Sequence, residues 1–290
     1  SPTLVRARPP DEALERFADR LDDLERGVES LYDRPAPSES GFDLLKSRRT
    51  VLDRVRAALR NATREVVLVL PHGVVPGLAD DLRDAHDRGV FVLLLASGTD
   101  AAAFESADAT PSRWSAATRC WDAEPPVLAV ADGRTGLMGE PGMLSSRHGD
   151  PETLAFGQRT IGDGFVGLVF SNYWPNGESV HVADPRPLPA RYDCFRAGVF
   201  DAARRAANGE SLVASATVRD ADTGERRRVE GATVERVKQG MVDPPTNDFP
   251  NENSLVLGAE GGRLSVGCPG GIGAFYEDYE GLELRLSRGD

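Results

Sequence analysis

The apolar positions change period along the chain, and each change marks a different kind of element. From Asp11 to Pro35, Leu14, Phe17, Leu21, Leu24, Val28 and Leu31 recur at spacings of 3, 4, 3, 4 and 3 among charged residues. That is a heptad seam bounded by Pro9-Pro10 and Pro35, and it predicts a coiled-coil helix that makes a homodimer through residues 11–34. After the polar spacer PAPSESG, dense apolar runs alternate with helical patterns. The runs Val66 to Leu70 and Val90 to Leu95 predict strands buried on both faces, separated by a helix over 78–88. A helix is expected over 43–60, a short strand near Arg119 to Trp121, a hairpin in EPPVLAVADGRTGLMGE (124–140), a strand over 155–161 and a closing helix over 164–174.

Three prolines in ADPRPLPARYD then break the pattern, and Cys194 to Asn208 reads as a helix ended by Gly209. From Ser211 onward the period is two, as in GLELRL, where Leu282, Leu284 and Leu286 alternate with Glu283 and Arg285. The fold class expected is α/β plus all-β. The expected domains are a coiled-coil helix (1–36), an α/β domain (37–183), a hinge and linking helix (184–209) and a small β domain (210–290).

Charge changes the picture in one respect. The net charge is −12, and only Lys46 and Lys238 are lysines among 34 basic residues. Many carboxylates with lysine almost eliminated is the surface expected of a protein from a high-salt, GC-rich organism. It also argues against this chain being a DNA-binding surface, which needs Lys and Arg to neutralise phosphates. No apolar run approaches the roughly 18 residues that cross a bilayer, so no membrane contact and a cytoplasmic location are expected. Cys120, Cys194 and Cys268 are far apart, and the four histidines show no ligand spacing, so neither a disulfide framework nor a metal site is expected.

Candidate chemistry centres on the hairpin. Phospholipase D-type enzymes carry HxKxxxxD on such a strand, giving a His nucleophile and a phosphate-binding Lys. Counting back from Asp132, the His position holds Pro125 and the Lys position Val127. The shape of the strand is present and its catalytic groups are missing, so no catalytic residue and no cofactor are expected. GCPGGIG (267–273) lacks the Lys-Ser/Thr of a phosphate-binding loop. Glu277, Asp278 and Glu280 form an acidic run of the kind that is usually a solvated face. Three other segments, SNYWPNGE (171–178), PPTNDFPNENS (244–254) and GGIGAFYEDYEG (270–281), combine aromatic rings, amides, carboxylates and glycines. That mixture suits a neutral polyhydroxylated ligand, because carboxylate and amide oxygens accept from hydroxyls while a ring face stacks on an aromatic.

The heptad helix, the α/β region with the VLAVADGRTGLMGE hairpin and the ending VGCPGGIGAFYEDYEG together resemble the TrmB family of archaeal sugar-sensing transcriptional regulators. The resemblance covers nearly the whole chain. It implies a single degenerate phospholipase D-like domain followed by a β domain that holds a mono- or disaccharide effector. It also implies promoter DNA as a partner, through a winged helix-turn-helix domain that this sequence does not contain. The family's sugar contacts fall on Gly271, Ile272 and Glu277, with its Asn on Asn247, Asn251 or Asn253 and its Ser on Ser171; Trp174 is the candidate stacking ring of the 171–178 segment. The family's aromatic near the chain end falls on Ala274. Two other readings stand beside this one: an interaction adaptor without a small ligand, and a residual phosphodiesterase or nuclease.

Overall fold

A long apolar run can form a central strand only if both of its faces are covered, and the way this chain covers them sets its architecture. The computed structural model describes residues 41–106, 111–145, 152–247, 249–259, 261–269 and 277–289. The heptad segment, residues 11–34, lies outside the described residues, as do Gly271 and Ile272.

In chain order the first part comprises β1 (Phe42–Leu45), α1 (Arg48–Asn61), β2 (Glu65–Pro71), α2 (Ala79–Asp87), β3 (Phe91–Ser97), α3 (Ala101–Ser106), β4 (Ala117–Trp121), β5 (Val127–Ala131), β6 (Thr135–Gly139), β7 (Thr153–Phe156), α4 (Arg159–Leu168) and β8 (Glu178–Val182). Its sheet runs β1-β7-β6-β5-β2-β3-β4-β8, with β2, β3 and β4 parallel. The second part comprises β9 (Ala190–Tyr192), α5 (Phe195–Ala207), β10 (Leu212–Asp220), β11 (Arg226–Lys238), β12 (Ser254–Ala259), β13 (Gly262–Gly267) and β14 (Tyr279–Arg288). Strands β10 to β14 pair in order, and β14 returns to β10, which closes a small barrel; β9 adds to the side of β14.

The first sheet's two faces have different covers. Val66, Leu68, Leu70, Val92 and Leu94 pack with Val51, Val55 and Leu59 of α1 and with Leu82 of α2. Val67, Val69, Phe91, Leu93 and Leu95 face the other way, into a core that continues through Phe170 and Trp174 to α5 and the barrel interior. Among the described residues one core therefore runs from the first sheet into the barrel. Helix α5, expected as a linker, is buried along most of its length, with Phe200 set edge-on to Phe91 at 5.3 Å between ring centres.

Three expectations need correction. The helix expected over 43–60 begins at Arg48, because the Ser47 hydroxyl caps it by accepting from the Thr50 amide at 3.1 Å, and Phe42–Leu45 pairs with β7 instead. The strand expected over 155–161 is Thr153–Phe156, and the helix expected over 164–174 begins at Arg159. Position 162 within this helix is glycine because a Cβ there would meet the Gly133 carbonyl oxygen at 2.5 Å; its absence lets α4 lie against the hairpin turn. The helix then passes through a π turn (Val169–Tyr173) and a 3-10 turn (Trp174–Asn176). Strands β1, β8 and β9 are additions that short edge sequences did not announce.

Asp132 has a structural occupation. It sits in the left-handed region at φ 54° at the β5–β6 turn. One carboxylate oxygen accepts from the Arg64 and Glu65 amides at 2.8 and 3.1 Å, and the other accepts from the Thr63 amide and hydroxyl at 3.0 and 2.8 Å. These bonds hold its carboxyl below the usual carboxylate range despite the opposing effect of burial. Glu65, so positioned, meets Arg196 of α5 at 2.9 Å; their side chains are 13% and 11% exposed, and the guanidinium lies 4.9 Å from the centre of the Phe170 ring.

Asp132→Ala is expected to cost about 2–4 kcal/mol, since several charge-assisted bonds are lost together. A folded-state pKa held below the unfolded value gives stability present above about pH 4 and lost as pH falls below it. Asp132→Asn should therefore flatten the acid limb of the denaturation midpoint plotted against pH, and an unchanged limb would refute the assignment. Separately, Glu65→Ala or Arg196→Ala should cost about 3–5 kcal/mol by leaving a buried charge unpaired, while Glu65→Leu with Arg196→Met should cost far less; chemical denaturation measures both.

Candidate functional site

Strands β11, β12, β13 and β14 of the barrel bring one end of each to a common place. Lys238 ends β11, Ser254 begins β12, Gly267 ends β13 and Glu277 stands just before β14. The loop between Lys238 and Ser254 is folded around Gln239, which is 1% exposed. Its side-chain oxygen accepts from the Met241 and Val242 amides at 2.7 and 2.8 Å, and its nitrogen donates to the Val242 and Pro244 carbonyls at 2.9 and 3.1 Å. The Thr246 hydroxyl accepts from the Gln239 amide at 3.0 Å. A loop held in this way delivers Asn247 and, further on, Glu252 and Asn253 to a fixed position.

Those residues build a polar floor. Glu252, 5% exposed, takes the Lys238 ammonium at 2.7 Å. The Asn247 amide donates to the Glu252 carbonyl at 2.8 Å, and the Ser254 hydroxyl approaches the Glu252 carboxylate at 3.4 Å. Glu277, also 5% exposed, packs over Gly267, where a Cβ would come within 2.9 Å of its carboxyl carbon. Burial, reinforced by the neighbouring Glu252 charge, pushes the Glu277 carboxyl up to about 7, against the smaller opposing effects of Ser254 and Lys238.

The floor is rich in acceptors. Both Glu277 oxygens and the side-chain carbonyl oxygens of Asn247 and Asn253 are buried and make no hydrogen bond of good geometry among the described residues, with the side chains of Ser254 and Glu252 near enough to the Glu277 carboxyl to shift it. Each such group costs about 1–3 kcal/mol, so four near one another describe a surface awaiting donors. An uncharged donor meets no like charge here, whereas an anion would meet Glu252 and Glu277.

The structure thus brings Glu277, Asn247 and Asn253 to one end of the barrel. Glu277 is buried and not part of a solvated acidic face, whereas Asp278 is exposed. Trp174 has a supporting place. It is fully buried, its ring lies under the Arg119 guanidinium at 5.4 Å, and its indole N–H donates to the Met241 carbonyl at 2.9 Å. Both ring faces are occupied within the core, so Trp174 braces the loop instead of stacking on a ligand. Ser171 is exposed on the π turn, and no hydrogen bond joins it to Glu277. Lys238, Gln239, Glu252 and Ser254 were missed in the sequence. Lys238 carried a signal, being one of two lysines in the chain.

On the first sheet, the positions where a phosphodiesterase would carry His and Lys are buried, Val127 at 0% exposed. No helix among the described residues is long and apolar enough to cross a membrane.

Comparison with protein families matches residues 41–181 to the N-terminal subdomain of the effector-binding domain of the transcriptional regulator TrmB, and residues 187–289 to the C-terminal subdomain of TrmB/TrmBL1. Similar solved structures include TrmBL2, an archaeal chromatin protein, at 18% identity and a TM-score of 0.40 over 59% of this chain and 65% of that one. Another is the phospholipase D family member NUC from Salmonella typhimurium, at 15% identity and a TM-score of 0.38 over 48% of this chain and 98% of that one. The match thus spans less than two thirds of the TrmBL2 chain. No curated protein matches by sequence. With the two effector-binding subdomains matched in succession, the chain belongs to the TrmB family of transcriptional regulators as its effector-binding region.

Proposed function

We propose that this chain senses a mono- or disaccharide at the Lys238, Glu252, Glu277 floor and that occupancy alters promoter binding by a winged helix-turn-helix domain outside the chain. The observation that carries the reading is the group of four buried acceptors without well-formed hydrogen bonds, the two Glu277 oxygens and the side-chain oxygens of Asn247 and Asn253. A sugar presents hydroxyl donors in pairs and no charge, which answers that demand. Gly271 and Ile272 complete the site in this reading, and residues 11–34 make the homodimer that spaces two DNA readers. The protein works in the cytoplasm and without catalysis, since Pro125 and Val127 stand where a phosphodiesterase needs its nucleophile and cation.

The same loop offers a route for the signal. Met241 holds Trp174, and Asp243 holds Arg119 at 2.8 Å; Trp174 and Arg119 both belong to the first sheet's region. A ligand bound against Asn247 and Asn253 therefore acts on a loop already bonded to that region. Such a signal requires unequal affinity for the two arrangements, because equal binding shifts nothing.

A thermal-denaturation panel of mono- and disaccharides in molar KCl tests the reading. A sugar at 100 times its dissociation constant should add about 2.7 kcal/mol. Glu277→Gln should abolish that gain, while raising ligand-free stability at pH 8 by removing a buried charge. The sign follows from the raised pKa: the folded state holds a proton that the unfolded state releases between about pH 4.5 and 7, so ligand-free stability falls across that window and the full penalty stands above it. Sugar affinity, which needs the carboxylate as acceptor, should rise through pH 7. No response to any sugar from a folded protein would favour the adaptor reading.

A further inference from the structure

Among the described residues three large apolar side chains are well exposed, and two of them share one short strand: Phe42 at 52% and Leu44 at 48%, both on β1. Residues two apart on a strand lie on one face. The other face of β1 is occupied, since Asp43 meets Arg54 of α1 at 3.0 Å and Leu45 is buried with Val51 and Val55. Phe42 and Leu44 are thus on the face away from α1. There they extend two apolar rows across the sheet, with Phe42 beside Phe156 and Leu44 beside Leu154, which in turn stands beside Met138. Phe165 of α4 meets Phe156 at 5.1 Å between ring centres, whereas Leu154 and Met138 are half-buried and the rows end uncovered on β1.

The edge beyond β1 is also unclaimed. β1 ends the sheet's order and, among the described residues, pairs with β7 alone. A free edge of this kind invites pairing with another chain unless charge guards it. At the opposite end of the sheet, β8 carries the exposed Glu178. Around β1 the charges are engaged within the chain, Asp43 with Arg54, and Lys46 with Glu152 at 3.1 Å.

We propose that β1 is a second dimer contact, pairing antiparallel with β1 of a second copy and joining the two first sheets edge to edge. This rests on the reading that residues 11–34 make the homodimer. Chain order selects a second copy as the occupant. Leu31, the last apolar position of the heptad pattern, stands eleven residues before Phe42. Eleven residues span at most about 40 Å, so chains joined through 11–34 hold their β1 strands at high local concentration. A four-residue strand, too short to join free molecules, then suffices. Symmetry agrees, because a parallel pair of identical helices and an antiparallel pair of identical strands are each two-fold, and one axis serves both. Like charges directly opposite one another are unfavourable in a sheet. That disfavours an axis at Asp43, which would oppose two carboxylates, and selects an axis at Leu44, which sets leucine against leucine.

Sedimentation and thiol cross-linking of the full chain test the claim together. The wild-type chain should sediment as a dimer. Leu44→Cys treated with diamide should form a disulfide-linked dimer, because opposed Cβ atoms in antiparallel strands stand about 4.5–5.5 Å apart. Ser179→Cys, also exposed but on β8, should not. Background is low, since Cys120 and Cys268 are buried and Cys194 is half-buried. Leu44→Lys should keep the fold, being at an exposed position, and weaken the dimer about tenfold by opposing two ammonium groups. If the wild-type chain is a dimer but Leu44→Cys links no faster than Ser179→Cys, or Leu44→Lys leaves dimerisation unchanged, the edge pairing is overturned and the heptad dimer stands. A monomeric wild-type chain overturns both.

Discussion

Everything in this fold leans on one carboxylate. Asp132 fixes the backbone from Thr63 to Glu65 to the end of β5, which sets the register of β2, the central strand on which the sheet's order depends. Glu65 then points its own carboxylate at Arg196, and through that buried pair the first sheet holds the helix on which the barrel is mounted. Local geometry reinforces the arrangement. Gly133 and Gly162 lack side chains where the hairpin turn meets α4, and a Cβ on Gly133 would come within 2.3 Å of Asp163. An aspartate at this position of a strand otherwise resembling a phosphodiesterase strand is thereby explained without chemistry: its four amide and hydroxyl donors are all supplied by its own fold.

The polar end of the barrel follows a different economy. A barrel closes its strands and removes its edges, so the groups that remain unpaired lie at its ends and in its loops. Here the loop is nailed by Gln239, and the unpaired groups concentrate on Glu277, Asn247 and Asn253. Gln239 makes the loop rigid, and the orphaned acceptors make it receptive. Rigidity and unsatisfied polarity together are what a preorganised site requires, because the desolvation is already complete when the ligand arrives.

Binding at that end is also placed to be felt elsewhere. Beneath the loop, Arg119 belongs to β4 and Trp174 to the segment that covers the sheet, and Phe170 in that segment carries Arg196 over its ring. A short chain of packed groups thus joins the loop to the Glu65–Arg196 pair.

Much of this was legible along the chain. Continuous apolar runs announced β2 and β3, alternation announced β10 to β14, and Gly209 marked the end of α5, because burial and backbone conformation impose those patterns locally. Asn247 and Asn253 lay in an amide-rich segment whose side-chain inventory suits a polyol, whereas Glu277 was marked only by the family resemblance and otherwise read as part of a solvated acidic run. Other features were decided only when distant segments met. Strands β1 and β9 are too short to carry a pattern, and they exist because β7 and β14 offer them hydrogen bonds. Trp174 reads as a candidate stacking surface in sequence and is buried because Arg119, Phe170 and Met241 converge on it. Glu277 belongs to an acidic run, and its burial follows from Gly267 and Glu252 closing around it. Periodicity records which face a residue turns to the core; it holds no record of which remote partner will be waiting there.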